Sequence, residues 1–444
     1  MPRIAALLIA VVVLVFVGID LMSPDVPWQA ETLTATSGHH WYRGNMHTHS
    51  HWSDGDDYLE SIAAWYQTAG YQFLVFSDHN VLADRDRWVE IKQTKGKEAA
   101  FEKLKQQFPD WVEERQIDGR HEVRLRRFDE VAQRFNQVGE FLLIQGEEIS
   151  DHYHSRPLHF NVSNVQELLI PRGGDSVADV IQNNVDAAIA QRERTGQPMI
   201  VHLNHPNFGY AVTAEDLMRV IGEKFFEVYN GHTSVNNTGD SHHVGCERIW
   251  DIVLTKRLAE LKLPVMYGLA VDDGHEYHHI PSRAPEPGRG WVMVLARELT
   301  AASLIHALEA GHFYSSSGVT LSRLDTSPEG LAIEVDPVPG EEYTIEFIGT
   351  RENYDTRSQP VLSETGKVVH TTRRYSDQIG RVLATAKGVK ARYEMRGDEI
   401  YVRARVTSSA LHPNPSEVGE FQRAWVQPVI GPASRYVPRG IVGR

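Results

Sequence analysis

Six short strand-like segments in this chain, most of them apolar until their last residues, end alike, in His, Asp, Glu or Asn: residues 44–49, 73–80, 141–148, 198–205, 225–230 and 264–275. A strand that is apolar along its whole length is covered on both faces, as parallel strands are in α/β folds. Helical patterns separate several of these runs, for example Leu59, Ile62, Ala63 and Tyr66 ahead of Gly70, and the stretch 177–194. Strand, helix and strand within about 35 residues is a βαβ unit. Such units collect their reactive side chains at the carboxyl ends of the strands. The repetition predicts an α/β fold, a parallel barrel with one catalytic mouth.

The first run carries His47-Thr48-His49 and then Ser53-Asp54-Gly55. Side chains repeat every second residue on a strand, so His47 and His49 share a face and can grip one cation. Asp54, in a turn just beyond, can bring a hard carboxylate oxygen back toward the same ion or a neighbour.

The remaining features set boundaries around this core. Residues 4–19 form an apolar run behind Arg3, read as a signal anchor or signal peptide over 1–23, with a polar spacer over 24–40. Arg3 on the cytoplasmic side predicts an extracytoplasmic protein, membrane-anchored or secreted, that meets the membrane through this segment only. The single cysteine, Cys246, excludes an internal disulfide. A net charge of -14 without a long basic run argues against stable nucleic-acid binding. The barrel is expected over 41–320, with a charged helical insertion at 84–140 covering one side. Period-two alternation at 331–335, 343–348 and 399–406 predicts a small C-terminal antiparallel β domain over 321–444.

Taken together, His47-x-His49 with Ser53-Asp54-Gly55, Ser77-Asp78-His79, Gly146-Glu147-Glu148, His159, His205-Pro206 and Asp273-Gly274-His275 resemble the polymerase and histidinol phosphatase (PHP) superfamily of metallohydrolases. The likeness spans about residues 43–318. It implies a distorted (βα)7 PHP barrel holding two or three divalent metal ions, with ligands at His47, His49, Asp54, His79, Glu148, His159, His205, Asp273 and His275. The Gly-x-Glu pattern selects Glu148 over Glu147, and Asp-x-His selects Asp273 over Asp272; His202 is read as a packing neighbour of His205. Nitrogen and oxygen donors without a thiolate suit Zn, Mn or Fe. Gly288-Arg289-Gly290-Trp291 and Phe313-Tyr314-Ser315-Ser316 look closest to a branch that includes a carbamate-insecticide hydrolase.

The expected activity is a multinuclear metal-dependent hydrolase, foremost a phosphoesterase in which a hydroxide bridging two ions attacks the substrate. Glu148 is the candidate bridge, and Asp273, His275 and His205 complete the catalytic group. Arg248, His242, His243 and Arg289 are candidate phosphate contacts. The alternative is a carboxyl or carbamate ester or amide hydrolase, with Trp52, Phe208, Tyr210 and Trp250 lining an apolar pocket. A non-catalytic metal-binding surface protein is the third reading.

Overall fold

The computed structural model of the chain describes residues 38–222 and 224–436. The apolar run at 4–19 lies outside them; among the described residues no helix is long and apolar enough to cross a membrane. Strand β1 (His40–Asn45) leads through helix α1 (Leu59–Thr68) to β2 (Phe73–Phe76), which pairs with β1 in parallel. α1 buries Leu59, Ile62, Ala63 and Tyr66, one stripe of a 3.6-residue repeat. Gly70, at φ 80°, turns the chain off the helix in the left-handed conformation that glycine adopts without penalty.

The insertion is not wholly helical, which corrects the expectation for 84–140. It contains β3 (Arg87–Glu90), α2 (Lys97–Gln107), β4 (Glu114–Ile117), β5 (Arg120–Leu125) and α3 (Phe128–Phe135), with the strands in an antiparallel sheet of order β3-β5-β4. The turn between β4 and β5 is Asp118-Gly119, both at positive φ. That dipeptide closes a two-residue hairpin because its backbone matches the twist of the flanking strands. Phe101, Leu104, Val123, Val131 and Phe135 pack with the buried stripe of α1.

The chain returns through β6 (Leu142–Tyr153), β7 (Arg156–Ser163), α4 (Val177–Thr195), β8 (Ile200–Leu203), α5 (Ala214–Leu217), β9 (Phe225–Asn230), α6 (Cys246–Thr255), β10 (Tyr267–Val271), β11 (Trp291–Ala296), α7 (Ala301–Glu309) and β12 (Phe313–Ser316). β1, β2 and β6 are parallel neighbours, as are β8, β9 and β10. β7 departs from the expected succession of seven parallel βα units. It runs antiparallel to both β6 and β8. Only a tight turn at 154–155 separates β6 from β7, and a parallel crossover needs a dozen or more residues. Because β7 reverses twice, β6 and β8 point the same way, and the carboxyl ends of β1, β2, β6, β8, β9 and β10 lie on one rim. A parallel bridge between Thr48 and Gly274 brings the extensions of β1 and β10 together there.

β11 pairs antiparallel with β1, and β12 with β11. Beyond β12 come β13 (Leu321–Ser327), β14 (Gly330–Val335), β15 (Tyr343–Arg351), β16 (Ser358–Gln359), β17 (Arg374–Tyr375), β18 (Arg381–Lys387), β19 (Lys390–Glu394), β20 (Glu399–Leu411) and β21 (Phe421–Ile430). All are antiparallel to their neighbours. β21 pairs with β12, so one mixed sheet of 13 strands continues from the parallel strands into this region. The inward residues of β13–β15, β20 and β21 bury a separate apolar cluster. Arg403 on β20 ties it to α6, its guanidinium donating to both oxygens of Asp251 at 2.8 Å.

Candidate metal centre

His47 and His49 lie just past β1, in a segment held between two neighbours. The Ser77 amide donates to Thr48 O (2.9 Å) and the His49 amide to Gly274 O (3.0 Å). Thr48 points away, receiving a hydrogen bond from Asn45 at 2.7 Å, so the two imidazoles turn to one side. The Ser50–Asp54 turn is organised by Asp78, whose carboxylate accepts from the amides of Ser50 and Ser53 and from both hydroxyls. Gly55 is needed in that turn, because a Cβ there would lie 2.5 Å from His49 O.

The rim gathers its donors around three carboxylates. Glu148, fully buried on β6, has His79 Nδ1 at 2.7 Å, His159 Nδ1 at 3.0 Å, His49 Nε2 at 3.2 Å, His47 Nε2 at 3.4 Å and His205 Nε2 at 3.5 Å. Asp273 Oδ1 lies 3.2 Å from Nε2 of both His47 and His49 and 3.5 Å from His275 Nδ1. Asp54, the most exposed of the three, faces His275 (3.4 Å), His79 (3.6 Å) and His49 (3.7 Å). All nine positions named as donors from the sequence thus meet in one cluster. Seven of them form three groups, each with ligand atoms mutually within 4.8 Å: His49, Asp54, His79 and His275; His47, His49 and Glu148; His79, Glu148 and His159. His205 and Asp273 join through their contacts with Glu148, His47 and His49.

The arrangement fits divalent cations. The Nε2 atoms of His47 and His49 face each other at 3.0 Å. Glu148 Oε2 and Asp273 Oδ1 are buried, and the imidazole nitrogens 2.7–3.2 Å from them complete no hydrogen bond of good geometry. Buried acceptors without a donor are costly unless a cation takes their lone pairs. Among the described residues, every ion-pair partner of the three carboxylates is an imidazole. Burial alone would raise the Glu148 carboxyl, but His79, His47 and His159 hold it well below the usual range. Burial likewise pushes the His49 ring down, yet Asp273 and Glu148 outweigh it and lift its pKa to about 10.

The adjacent acids divide as strand alternation requires. Glu147 points into the core, accepting from the Leu169 amide, and Asp272 accepts from the amides of Arg289 and Gly290 and from the Tyr66 hydroxyl. His202 sits against Glu227 at 3.2 Å, away from Glu148.

The expected phosphate contacts are corrected by their partners. The Arg248 guanidinium is taken by the carbonyls of Ile379 and Ser376, fastening the C-terminal region. Arg289 is fully buried and spends its guanidinium on Gly231 O, Asn414 and Glu286. His243 stacks on Tyr210 at 3.7 Å and pairs with Asp240, and His242 bonds Ser241. The expected aromatic pocket also dissolves: Trp52 and Trp250 are core residues, their indoles bonded to Arg126 O and Met266 O. Only Phe208 reaches the centre, edge-on to His205 at 5.1 Å.

Two further residues were not foreseen. Glu227, fully buried on β9, has Oε1 2.7 Å from His47 Nδ1 and accepts the His205 amide at 2.7 Å. Its signal was a lone acid inside the apolar run Phe225-Phe226-Glu227-Val228-Tyr229. His232, just past β9, lies 5.3 Å from the His275 ring. Burial depresses its pKa to about 4.

No family model and no curated protein matches the chain. Solved structures similar to it include two bacterial proteins. One is a two-domain protein from Bacteroides vulgatus containing a predicted PHP-like metal-dependent phosphoesterase, at 12% identity over 90% of this chain and 97% of that one, with a TM-score of 0.38. The other, from Bifidobacterium adolescentis, is described as a candidate metal-dependent phosphoesterase, at 14% identity over 52% of this chain and 87% of that one, with a TM-score of 0.28. Likenesses this loose carry no argument about this chain, and its chemistry rests on the side chains themselves.

Proposed function

We propose that the chain is a multinuclear metal-dependent hydrolase of the PHP type that acts on phosphoesters. The observation that carries this reading is the pair of buried oxygens, Glu148 Oε2 and Asp273 Oδ1, that face only converging imidazoles and complete no hydrogen bond of good geometry. The donor set suits two or three ions of Zn, Mn or Fe, held by His47, His49, Glu148 and Asp273 with His79, His159, His205, His275 and Asp54. Bound there, such ions supply a water acidified to a nucleophile near neutral pH and positive charge for the substrate's anionic oxygen.

The chain's own groups set the stage for that chemistry. Glu227 fixes the His47 ring so that Nε2 faces the centre. Asn204 donates to Glu148 Oε1 (2.8 Å), the oxygen that also faces His47, His159 and His205, and Asn230 donates to Asp273 Oδ2 (3.1 Å). Glu148 Oε2 is left to His49 and His79, and Asp273 Oδ1 to His47, His49 and His275. The side chains of Asp54 and His79 are 57% and 28% exposed against 1% for Glu148, so substrate enters from that side. With Arg248 and Arg289 engaged elsewhere, no arginine among the phosphate contacts named from the sequence is free for a dianion. A phosphodiester, carrying one charge, suits such a site better than a monoester.

The same lack favours a second reading, a carboxyl or carbamate ester or amide hydrolase, in which Phe208 beside His205 and His159 meets an apolar group. Supplying Zn, Mn or Fe and assaying bis-p-nitrophenyl phosphate, p-nitrophenyl phosphate and a naphthyl carbamate separates the two. Turnover of the diester is the expected result. Turnover of the carbamate alone would establish the second reading, and none with any metal would leave a metal-binding protein.

A further inference from the structure

Resting on the hydrolase reading, we propose that His232 is a catalytic residue of the centre. Its Nε2–H, held in that tautomer by the Ser234 amide, donates to the substrate oxygen that gains negative charge as the ester bond breaks. The amide of Ser234 lies 3.0 Å from His232 Nδ1. An amide can only donate, so Nδ1 is the acceptor, and the proton of the neutral ring sits on Nε2.

The backbone beneath the ring is built to hold this position. The His232 amide donates to Asn230 Oδ1 at 2.8 Å, and the Asn230 side-chain amide donates to Glu227 Oε2 at 2.8 Å and to Asp273 Oδ2 at 3.1 Å. One asparagine therefore fixes His232 relative to two carboxylates of the centre. Gly231 O accepts from Arg289 Nη1 at 2.9 Å, and a Cβ on Gly231 would lie 2.8 Å from both Arg289 Cβ and Asp272 O. Only glycine lets the chain run this close to that arginine.

The ring stands nearly perpendicular to His275 (77°) and to Phe208 (72°, 6.3 Å). It is half-buried at the rim, where substrate arrives. It belongs to none of the three donor groups and pairs with no carboxylate among the described residues. A neutral donor prepositioned at the point where charge develops lowers the barrier without transferring its proton.

The test uses the metal-loaded protein and the phosphoester it hydrolyses. His232→Ala should lower kcat roughly a hundredfold to a thousandfold, the effect of losing one such donor. Metal content measured by mass spectrometry should stay at the wild-type value. His232→Gln, which keeps a neutral N–H donor, should recover part of the loss. Long-range ¹H–¹⁵N correlation spectra of the metal-free protein should show the His232 proton on Nε2. Wild-type kcat in His232→Ala overturns the proposal while leaving the hydrolase reading intact, as does a loss of metal that tracks the loss of activity, or a proton on Nδ1. A wild-type protein that hydrolyses no ester overturns both.

Discussion

Nδ1 of His47 lies 2.7 Å from Oε1 of Glu227, so Nε2 is the nitrogen that this ring offers to the centre. Burial would raise the Glu227 carboxyl, but His47 and His202 bring its pKa down to about 2. A carboxylate behind a ligating imidazole fixes its tautomer and raises its basicity. Glu227→Gln should weaken metal affinity ten- to a hundredfold, the usual range for such partners. Competition with a chromophoric chelator measures it, and unchanged affinity would remove Glu227 from the centre.

Glu148 is the carboxylate touched by five imidazoles. Glu148→Gln keeps the shape and removes the charge. Turnover should disappear and fewer ions should remain bound, with the circular dichroism spectrum unchanged. Full activity in this variant would sink the assignment.

Metal uptake should release protons. His49 and His47 are held protonated in the metal-free protein, His49 up to a pKa of about 10, while a ligating imidazole is neutral. Binding at pH 7 must therefore expel protons, and affinity should rise with pH toward 10. The sign is opposite for the metal-free fold: its imidazolium–carboxylate pairs stabilise it fully below pH 6.5, and that stability is lost as pH climbs through about 10. Calorimetric titration in buffers of different ionisation enthalpy counts the protons, and a heat independent of buffer would refute the prediction.

Glu147, next in sequence, titrates the other way from Glu148. Burial lifts its pKa to about 8, and Oε1 has no partner. The folded state holds a proton that the unfolded state has lost, so stability should fall from about pH 4.5 to about 8 with a slope near 1.4 kcal/mol per unit. Glu147→Gln should flatten that part of the profile. Urea unfolding at pH 5.5 and 7.5 in wild type and variant decides it; equal slopes would contradict a Glu147 buried in its protonated form.

Arg403 and Asp251 form a buried pair between β20 and α6. Removing one member strands the other, which costs about 3–5 kcal/mol. Arg403→Ala should lose about that much by chemical denaturation. Arg403→Met with Asp251→Leu should recover part of it, because neither member of the pair is left charged and Glu247, which loses Arg403, keeps Arg405, although the Tyr401 hydroxyl loses its acceptor. A single variant as stable as wild type would show that the pair does not hold the C-terminal strands against the helix.

Much of this was legible because buried parallel strands cannot be polar until they end. That rule located the six tips carrying His47, His79, Glu148, His205, Asn230 and Asp273. The alternation over 158–162 marked β7 as a strand but not its direction, which follows from a turn too short for a crossover. The Asp118-Gly119 hairpin was readable, but the charged run around it resembles a solvated helix. Glu227 was hidden in the opposite way, by apolar neighbours that made its strand look complete.

What the order of residues determined by itself is the inventory and the facing: donors without a thiolate, His47 and His49 on one side of a strand, Glu148 opposed to Glu147. These follow from local rules, the two-residue repeat of a strand and the chemistry of each side chain. Which of those groups are free to act was decided only in three dimensions. Arg248 and Arg289 carry charges suited to phosphate, yet backbone carbonyls from distant segments occupy them. Glu227 and His232 carry no motif, yet packing sets one behind His47 and the other beside His275. A side chain's chemistry is local, but its partner is whatever the closed fold puts within 3 Å of it.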